Sequence, residues 1–283
     1  MGTALRGFGG FRFLSLLRAR SRRVPSFRGS GNLLPAHGIG AGSQELVNRR
    51  DHFTYRSHHR KVGPMKIGII GAGNIGGNLT RRLTALGHEV SVANSRGPQT
   101  LTALVEETGA TAVTAAEAAK GAQVVVVTVP LKAVPALPAG FLDGAAEGFA
   151  VIDTGNYYPR ERDGRIAAIE DGQPESLWTQ EQIGHPVIKA FNGTYAQDIL
   201  SNGTPKGTAE RQALPVAGDD AAAKQTVRDL IDELGFDTVD AGGLDESWRQ
   251  QPGTPVYGHR GDVAAIEKAL TSASAERTPE WRA

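Results

Sequence analysis

From Lys66 onward, apolar positions fall alternately into short β-branched runs and stripes of helical period. Lys66 to Ile70 is a short apolar strand. Ile75, Leu79, Leu83 and Leu86 then recur at spacings of four, four and three, a helical stripe that would face a sheet, and Gly87 ends it. Glu89 to Ala93 reads as a second strand. Pro98 to Thr108, with Leu101, Leu104 and Val105 on one face, predicts a helix closed by Gly109, followed by a short strand at Thr111 to Val113 and a small helix at Ala115 to Lys120. Val124 to Val129 is an unbroken apolar run, the mark of a parallel strand buried on both faces, and would be the fourth strand. A helical stretch at Leu131 to Ala136 and a strand at Ala150 to Asp153 follow. Residues 160–183 read as a surface excursion with a weak helix at Glu175 to Ile183, and Pro186 to Asn192 as a further strand. Beyond these, Leu214 to Gly218 is a strand, and Asp219 and Asp220 are cap candidates. They precede a helix carrying Ala223, Val227, Leu230, Ile231 and Leu234 up to Gly235. Phe236 to Val239 returns to extended structure. Glu246 to Gly258 has no period and is aromatic and proline-rich, which reads as a loop. A last helix spans Asp262 to Ala273, and the final residues fray.

The turn between the first strand and helix is Gly71-x-Gly73-x-x-Gly76. Each glycine has a separate physical task. The first permits a tight turn, the second lets backbone approach a pyrophosphate, and the third lets helix and strand pack closely. The helix N-terminus adds unpaired N–H groups and a positive dipole end. Strand, glycine turn and helix in this order predict an α/β fold, a Rossmann-type doubly wound parallel sheet with a small C-terminal lobe. Residues 65–200 would be the dinucleotide-binding domain and 201–283 a small α/β lobe and arm. The second strand ends in Asn94-Ser95-Arg96, where an Asp or Glu would select a bare ribose. A hydroxyl and a guanidinium stand there instead, and the planar fork of Arg suits a 2′-phosphate, so NADP(H) is expected over NAD(H). Thr128-Val129-Pro130, Asn156 and Asn192 lie at C-terminal strand ends, the rim where ligands of open α/β sheets bind.

Composition changes the picture mainly at the N-terminus. Residues 1–64 hold 12 of the chain's 31 Lys+Arg but only Glu45 and Asp51 of its 30 Asp+Glu, so the rest is acidic and has little reason to seek nucleic acid. Rich in Gly and Ser and without a sustained period, this leader is expected to be mostly disordered. Three readings of it stand. It is a transit peptide, a basic tail that touches anionic surfaces, or upstream sequence read as protein, with Met65 the natural start; the last is favoured. The chain contains no cysteine, which removes disulfides, thiolate catalysis and Cys-bound metal. No stretch approaches the roughly 18 apolar residues of a membrane span. A soluble, cytoplasmic protein with no metal site is expected.

With these pieces in order, the chain resembles the NADP-dependent oxidoreductases typified by NADPH:coenzyme F-420 reductase. The resemblance rests on Gly71-Ala72-Gly73-Asn74-Ile75-Gly76, Ser95-Arg96, Thr128-Val129-Pro130, Asp153 to Asn156 and Val187 to Asn192. The last is also similar to a strand in the reductase domain of six-transmembrane ferric reductases. It implies that Ala72, Asn74, Ile75, Ser95, Arg96 and Val129 contact NADP. It also implies a C-terminal lobe closing over the nicotinamide, a homodimer, and a deazaflavin, a flavin or a small organic compound as second substrate.

Hydride transfer between nicotinamide and a flavin-like ring needs close parallel rings and no protein acid, because the cofactors carry the chemistry. No nucleophile elbow, HExxH or repeated carboxylate pair occurs, and no residue is assigned as catalytic. His185 reads as a loop residue, Tyr157 and Tyr158 as lining, and Lys189 as a snorkelling side chain, while Asp153 reads equally as a strand-terminal turn or as a group that orients a ribose or an amide. The second substrate is expected over the nicotinamide, between Asn156, Asn192 and the loop from Trp248 to Tyr257. Two alternatives remain open: a non-catalytic NADP(H) sensor and an imine reductase of the pyrroline-5-carboxylate reductase type.

Overall fold

The computed structural model describes residues 63–283, so the expectations for the leader fall outside it except at Gly63 and Pro64. Strand β1 is Lys66–Ile70, and its last four residues are buried. Helix α1 follows at Asn74–Ala85, then β2 at Glu89–Ala93. A 3-10 turn at Pro98–Leu101 runs into α2, Thr102–Thr108, and β3 is the two residues Thr111–Ala112. The all-valine β4, Val124–Val127, is wholly buried, as is β5, Ala150–Asp153. Short α3 (Ala167–Glu170), α4 (Glu175–Ile183), β6 (Ile188–Lys189) and α5 (Ala196–Ser201) complete the first part. Then come β7 (Ala213–Val216), α6 (Ala221–Leu234), β8 (Asp237–Asp240) and α7 (Val263–Thr271).

Six strands form one sheet in the order β3-β2-β1-β4-β5-β6, and every pairing is parallel. The fold is therefore the Rossmann-like α/β arrangement expected. Chain order reverses beside β1, where the first crossover goes one way to β2 and β3 and the next returns to β4, which opens a crevice at the C-terminal ends of β1 and β4. The two-residue period of the strands divides the core. Ile67, Ile69, Val90, Val92, Val124, Val126 and Ile152 join Leu79 and Leu83 of α1 and Val227, Leu230, Ile231 and Leu234 of α6. Ile70, Val125, Val127 and Val151 belong to a second cluster with Phe141, Val187 and Leu244. Both faces are covered, which is why the central strands tolerate no polar position. Each such aliphatic side chain contributes roughly 1.5–3 kcal/mol by leaving water.

β7, α6 and β8 form a βαβ unit with its own two-stranded parallel sheet. Asp220 caps α6 by accepting from the Ala222 and Ala223 amides, and Gly235 ends it in the left-handed region. The unit shares the first core cluster with the large sheet, and Lys189 N donates to Ala217 O at 2.8 Å, which ties it to β6.

Several elements depart from expectation. Ala115 to Lys120 forms turns rather than a helix, with Ala118 and Ala119 buried in the second cluster. Leu86 is 42% exposed, beyond the end of its stripe. Glu246 to Gly258 begins inside a 3-10 helix, Leu244–Gln250. The excursion at 160–183 is far from superficial: Ile169, Glu175, Ser176, Trp178 and Thr179 are buried. α5 has too short an apolar pattern to be foreseen. The C-terminal residues are held by a 3-10 turn, Pro279–Trp281, and by Arg277, which reaches Glu175 at 2.6 Å.

Candidate active site

The glycine turn sits where chain reversal opens the sheet. Gly71 has φ +113°, a conformation that side chains rarely adopt, and a Cβ there would strike the Thr128 carbonyl. A Cβ on Gly76 would strike the Gly71 carbonyl, so this glycine allows α1 to pack against the turn. Around Gly73 the Cβ direction meets nothing within 4 Å. The first and third glycines are thus required by the protein's own packing, and the second faces open space. Gly73 is the N-cap of α1, with no side-chain cap and no acid in the first turn. The helix therefore offers its N–H groups and positive end to an anion, and this cradle fits a pyrophosphate.

The end of β2 lies beside this turn, since Ala93 pairs in register with Ile70 and accepts from Gly71 N at 2.8 Å. Asn94 braces the loop: its Oδ1 accepts from Arg96 N at 2.9 Å and its Nδ2 donates to Thr100 Oγ1 at 2.8 Å. Ser95 and Arg96 are exposed, and the Arg96 guanidinium makes no hydrogen bond among the described residues. A preformed loop thus holds out a free planar cation, a donor set that fits a 2′-phosphate.

From the turn a cleft of about 440 Å³ runs along the strand ends. It brings together Gly73, Asn74, Ile75, Thr128, Val129, Pro130, Asn156 and Asn192. Gly71, Ala72 and Gly76 form the turn behind it, and Asn94, Ser95 and Arg96 stand at the neighbouring strand end. Tyr257 of the expected loop lines the cleft, whereas Trp248 is absent from it. Trp248 instead lies under the Arg249 guanidinium, 4.4 Å from its ring centre, so the aromatic cover comes from one end of that segment only. A larger hollow of about 610 Å³ between Ser201 and Ala265 shares no residue with this cleft or with the large sheet's strands.

Asn156 and Asn192 face one another. Asn156 Nδ2 donates to Asn192 O at 2.8 Å, and Asn192 Nδ2 donates to Asn156 Oδ1 at 3.1 Å and to Gln250 O at 2.6 Å. The Asn192 amide is committed to the wall. Beyond this pair, sequence reasoning passed over Arg162, Thr194, Tyr195 and Ala196, all of which line the cleft, and took Tyr158 only as lining. The polar cluster at the exit of β5 was the available signal for Tyr158; nothing in the sequence marks Arg162. Its guanidinium sits 4.8 Å from the Tyr158 ring centre and donates to Asn156 O. The Tyr158 and Tyr257 hydroxyls hydrogen-bond each other, and both rings pack against Trp281, with centroids 6.1 and 6.2 Å away. Burial, and then the Tyr257 hydroxyl, push the Tyr158 phenol well above its ordinary range.

Beneath the wall lies a charge cluster. Lys189 is completely buried, contrary to the snorkelling reading, and its ammonium donates to Gly155 O at 2.6 Å. It lies 3.7 Å from Asp153 Oδ2 and from Glu175 Oε2. Asp153 accepts from Gly155 N at 2.8 Å, the strand-terminal turn that is one of its two readings, and from Ser176 Oγ at 2.6 Å. Burial pushes the Glu175 carboxyl up, against the opposing pull of Lys189 and Arg277.

Comparison with known proteins agrees with this geometry. Residues 66–157 match the family of NADP oxidoreductases described as coenzyme F-420-dependent. The matched segment is about a third of the chain. It spans β1 through β5 and the exit to Tyr157, and so contains the glycine turn, Arg96, Pro130 and Asn156. A hypothetical protein of Sinorhizobium meliloti, SMa0349, superposes with a TM-score of 0.59 at 28% identity, over 70% of this chain and 94% of that one. A candidate F-420-dependent NADP-reductase from an Arthrobacter species shares the fold, with a TM-score of 0.54 at 24% identity over 64% and 86% of the two chains. YjhV of Escherichia coli is 44% identical over 69 residues, 24% of this chain and 50% of that protein. Erythronate-4-phosphate dehydrogenase of Salinibacter ruber is 33% identical over 132 residues, 43% of this chain and 33% of that protein. The chain thus spans half or less of the length of these curated relatives. Among the described residues no helix is long and apolar enough to cross a membrane.

Proposed function

We propose that the protein is an NADP(H)-dependent oxidoreductase that passes hydride between NADPH and a second substrate, a flavin-like (deazaflavin) or small organic acceptor. The carrying observation is the continuous cleft from the open face of Gly73, along Val129 and Pro130, to Asn156, Asn192 and Tyr257. When bound, NADPH supplies the hydride. In this reading Gly71, Ala72, Gly73, Asn74, Ile75 and Gly76 hold the pyrophosphate over the α1 N-terminus, and Ser95 and Arg96, on the loop braced by Asn94, take the 2′-phosphate. Thr128, Val129 and Pro130 support one face of the nicotinamide, with Asn156 and Asn192 as the wall beside it. Residues 65–200 act as the cofactor domain and 201–283 as the lobe over it, in a cytoplasmic homodimer. Titration followed by nicotinamide fluorescence, with NADPH and NADH in parallel, tests the cofactor. Oxidation of bound NADPH by coenzyme F-420, FMN or a quinone tests the transfer. Saturable binding with NADPH preferred, together with turnover of an acceptor, is expected; no NADPH binding, or equal affinity for NADH, overturns the cofactor assignment.

A further inference from the structure

We propose that Tyr158 is a proton donor, recharged through Tyr257, and that the acceptor is an aromatic aldehyde or ketone. The proposal rests on the NADPH-dependent reading above and sharpens it. The first argument is the composition of the cleft wall. Among the described residues no Asp, Glu, His, Lys or Cys lines it, so the tyrosine phenols are the most acidic O–H donors that the wall offers. Tyr195 is 52% exposed and lies under the Arg260 guanidinium, whereas Tyr158 and Tyr257 share one hydroxyl-to-hydroxyl hydrogen bond. The amides of Asn156 and Asn192 are occupied by each other and by Gln250.

The second argument is the setting of Tyr158. The Arg162 guanidinium over its ring, fixed by Asp163 at 3.0 Å and by Asn156 O, would stabilise the phenolate left when the proton departs. Trp281 holds both rings of the pair in place. A ring acceptor such as a deazaflavin spreads the incoming negative charge over its conjugated system, but a carbonyl concentrates it on one oxygen and needs a proton there. Three tyrosine rings with Ile75, Val129 and Pro130 suit a flat aromatic body.

The step balances as follows. Hydride from the reduced nicotinamide forms a C–H bond at the carbonyl carbon, and the C=O π pair moves to oxygen. That oxygen takes the Tyr158 proton, Tyr158 takes the Tyr257 proton, and water restores Tyr257. The carbonyl is reduced to an alcohol, NADPH is oxidised to NADP⁺, and one proton is consumed.

The test uses the full chain with benzaldehyde and cinnamaldehyde as carbonyl probes and benzamide as a carbonyl that resists hydride. Tyr158→Phe keeps the ring on Trp281 and under Arg162. It should lower kcat with the aldehydes by on the order of 10²-fold or more and leave NADPH affinity by fluorescence unchanged. Calorimetric affinity of the NADP⁺-bound protein for benzamide should fall about tenfold, the worth of one hydrogen bond. Tyr257→Phe should lower kcat less. Three results overturn the proposal while NADPH still binds: neither aldehyde is reduced, Tyr158→Phe keeps wild-type kcat, or benzamide binds the variant as before. Loss of NADPH affinity in Tyr158→Phe also overturns it, since the tyrosine would then be structural. Failure of the wild-type protein to bind NADPH would instead sink the underlying reading.

Discussion

The two ends of the cleft are built by different means. At the end proposed to hold the phosphates a single contiguous stretch, Met65 to Arg96, supplies strand, turn, helix N-terminus and the Arg96 loop. Its recognition groups are mainly backbone N–H and empty space above Gly73. At the end proposed for the acceptor the wall comes from the exits of β4, β5 and β6, from Tyr257 and, behind them, from Arg277 and Trp281. This wall stands on a buried set of two cations and two carboxylates. A backbone-built site tolerates side-chain change around it and fails on an added Cβ. A wall built on buried charge fails on loss of any one partner. The two ends should therefore separate cleanly under mutation.

The largest effect is expected at the acceptor end. Lys189→Met preserves volume but leaves Asp153 and Glu175 buried with Arg277 as the remaining cation. Breaking a buried pair by removing one partner costs roughly 3–5 kcal/mol. Thermal unfolding should show Tm falling by roughly 10 °C, and the Gly155 carbonyl loses its donor, so KM for the acceptor should rise. An unchanged Tm would mean that the cluster is better solvated than its burial implies. Arg277→Met should act in the same direction, which would show that the C-terminal segment belongs to the wall.

Arg96→Ala probes the phosphate end without touching the fold, because the guanidinium has no partner among the described residues. A charge-assisted bond to the 2′-phosphate is worth roughly 1.5–3 kcal/mol. NADPH affinity should drop about tenfold to a hundredfold while NADH affinity and Tm stay level. Equal losses for both dinucleotides in a fluorescence titration would remove Arg96 from phosphate recognition.

The glycines split stability from binding within one turn. Gly76→Ala sets a Cβ against the Gly71 carbonyl and should cost about 1–3 kcal/mol of folding stability, as overpacked sites do. Gly73→Ala meets no protein atom, so its Tm should hold, while NADPH affinity falls by on the order of tenfold, about 1.4 kcal/mol, because the new methyl occupies the pyrophosphate's approach. Matching Tm losses in the two variants would show that Gly73 also has a packing task.

This contrast also explains what the sequence made legible. β1, α1, β2, β5, α4 and α6 were readable because each signal is local: a β-branched run, a helical stripe, a cap, a terminal glycine. The doubly wound parallel sheet followed from their alternation. Lys189 was misread because alternation with apolar neighbours looks the same whether the ammonium reaches water or meets Asp153 and Glu175. Those carboxylates arrive from another strand and from a helix whose weak apolar pattern disguised its burial. Arg162 and Trp281 act across long stretches of chain and carry no local mark. Asn156 and Asn192 were placed at the rim because strand ends are predictable, and both line the cleft, but their mutual hydrogen bonding was not foreseen.

Trp248 gives the smallest effect and bears directly on how the acceptor end was read. The aromatic, proline-rich segment from Trp248 to Tyr257 suggested a cover over the rim, yet its two aromatics part company. Tyr257 lines the cleft, while Trp248 opens a separate shallow hollow with Gln251, Pro252 and Arg277 and packs on Arg249. The 3-10 helix Leu244–Gln250 directs this separation, because Gln250 turns inward to donate to the Asn192 and Lys189 oxygens. Trp248→Ala removes a half-exposed stacking contact with arginine, worth roughly 0.5–1 kcal/mol. Tm should fall by only a few degrees, and kcat, acceptor KM and NADPH affinity should match the wild type. A rise in acceptor KM in Trp248→Ala, with Tm held, would return the whole segment to the cleft and replace the split described here.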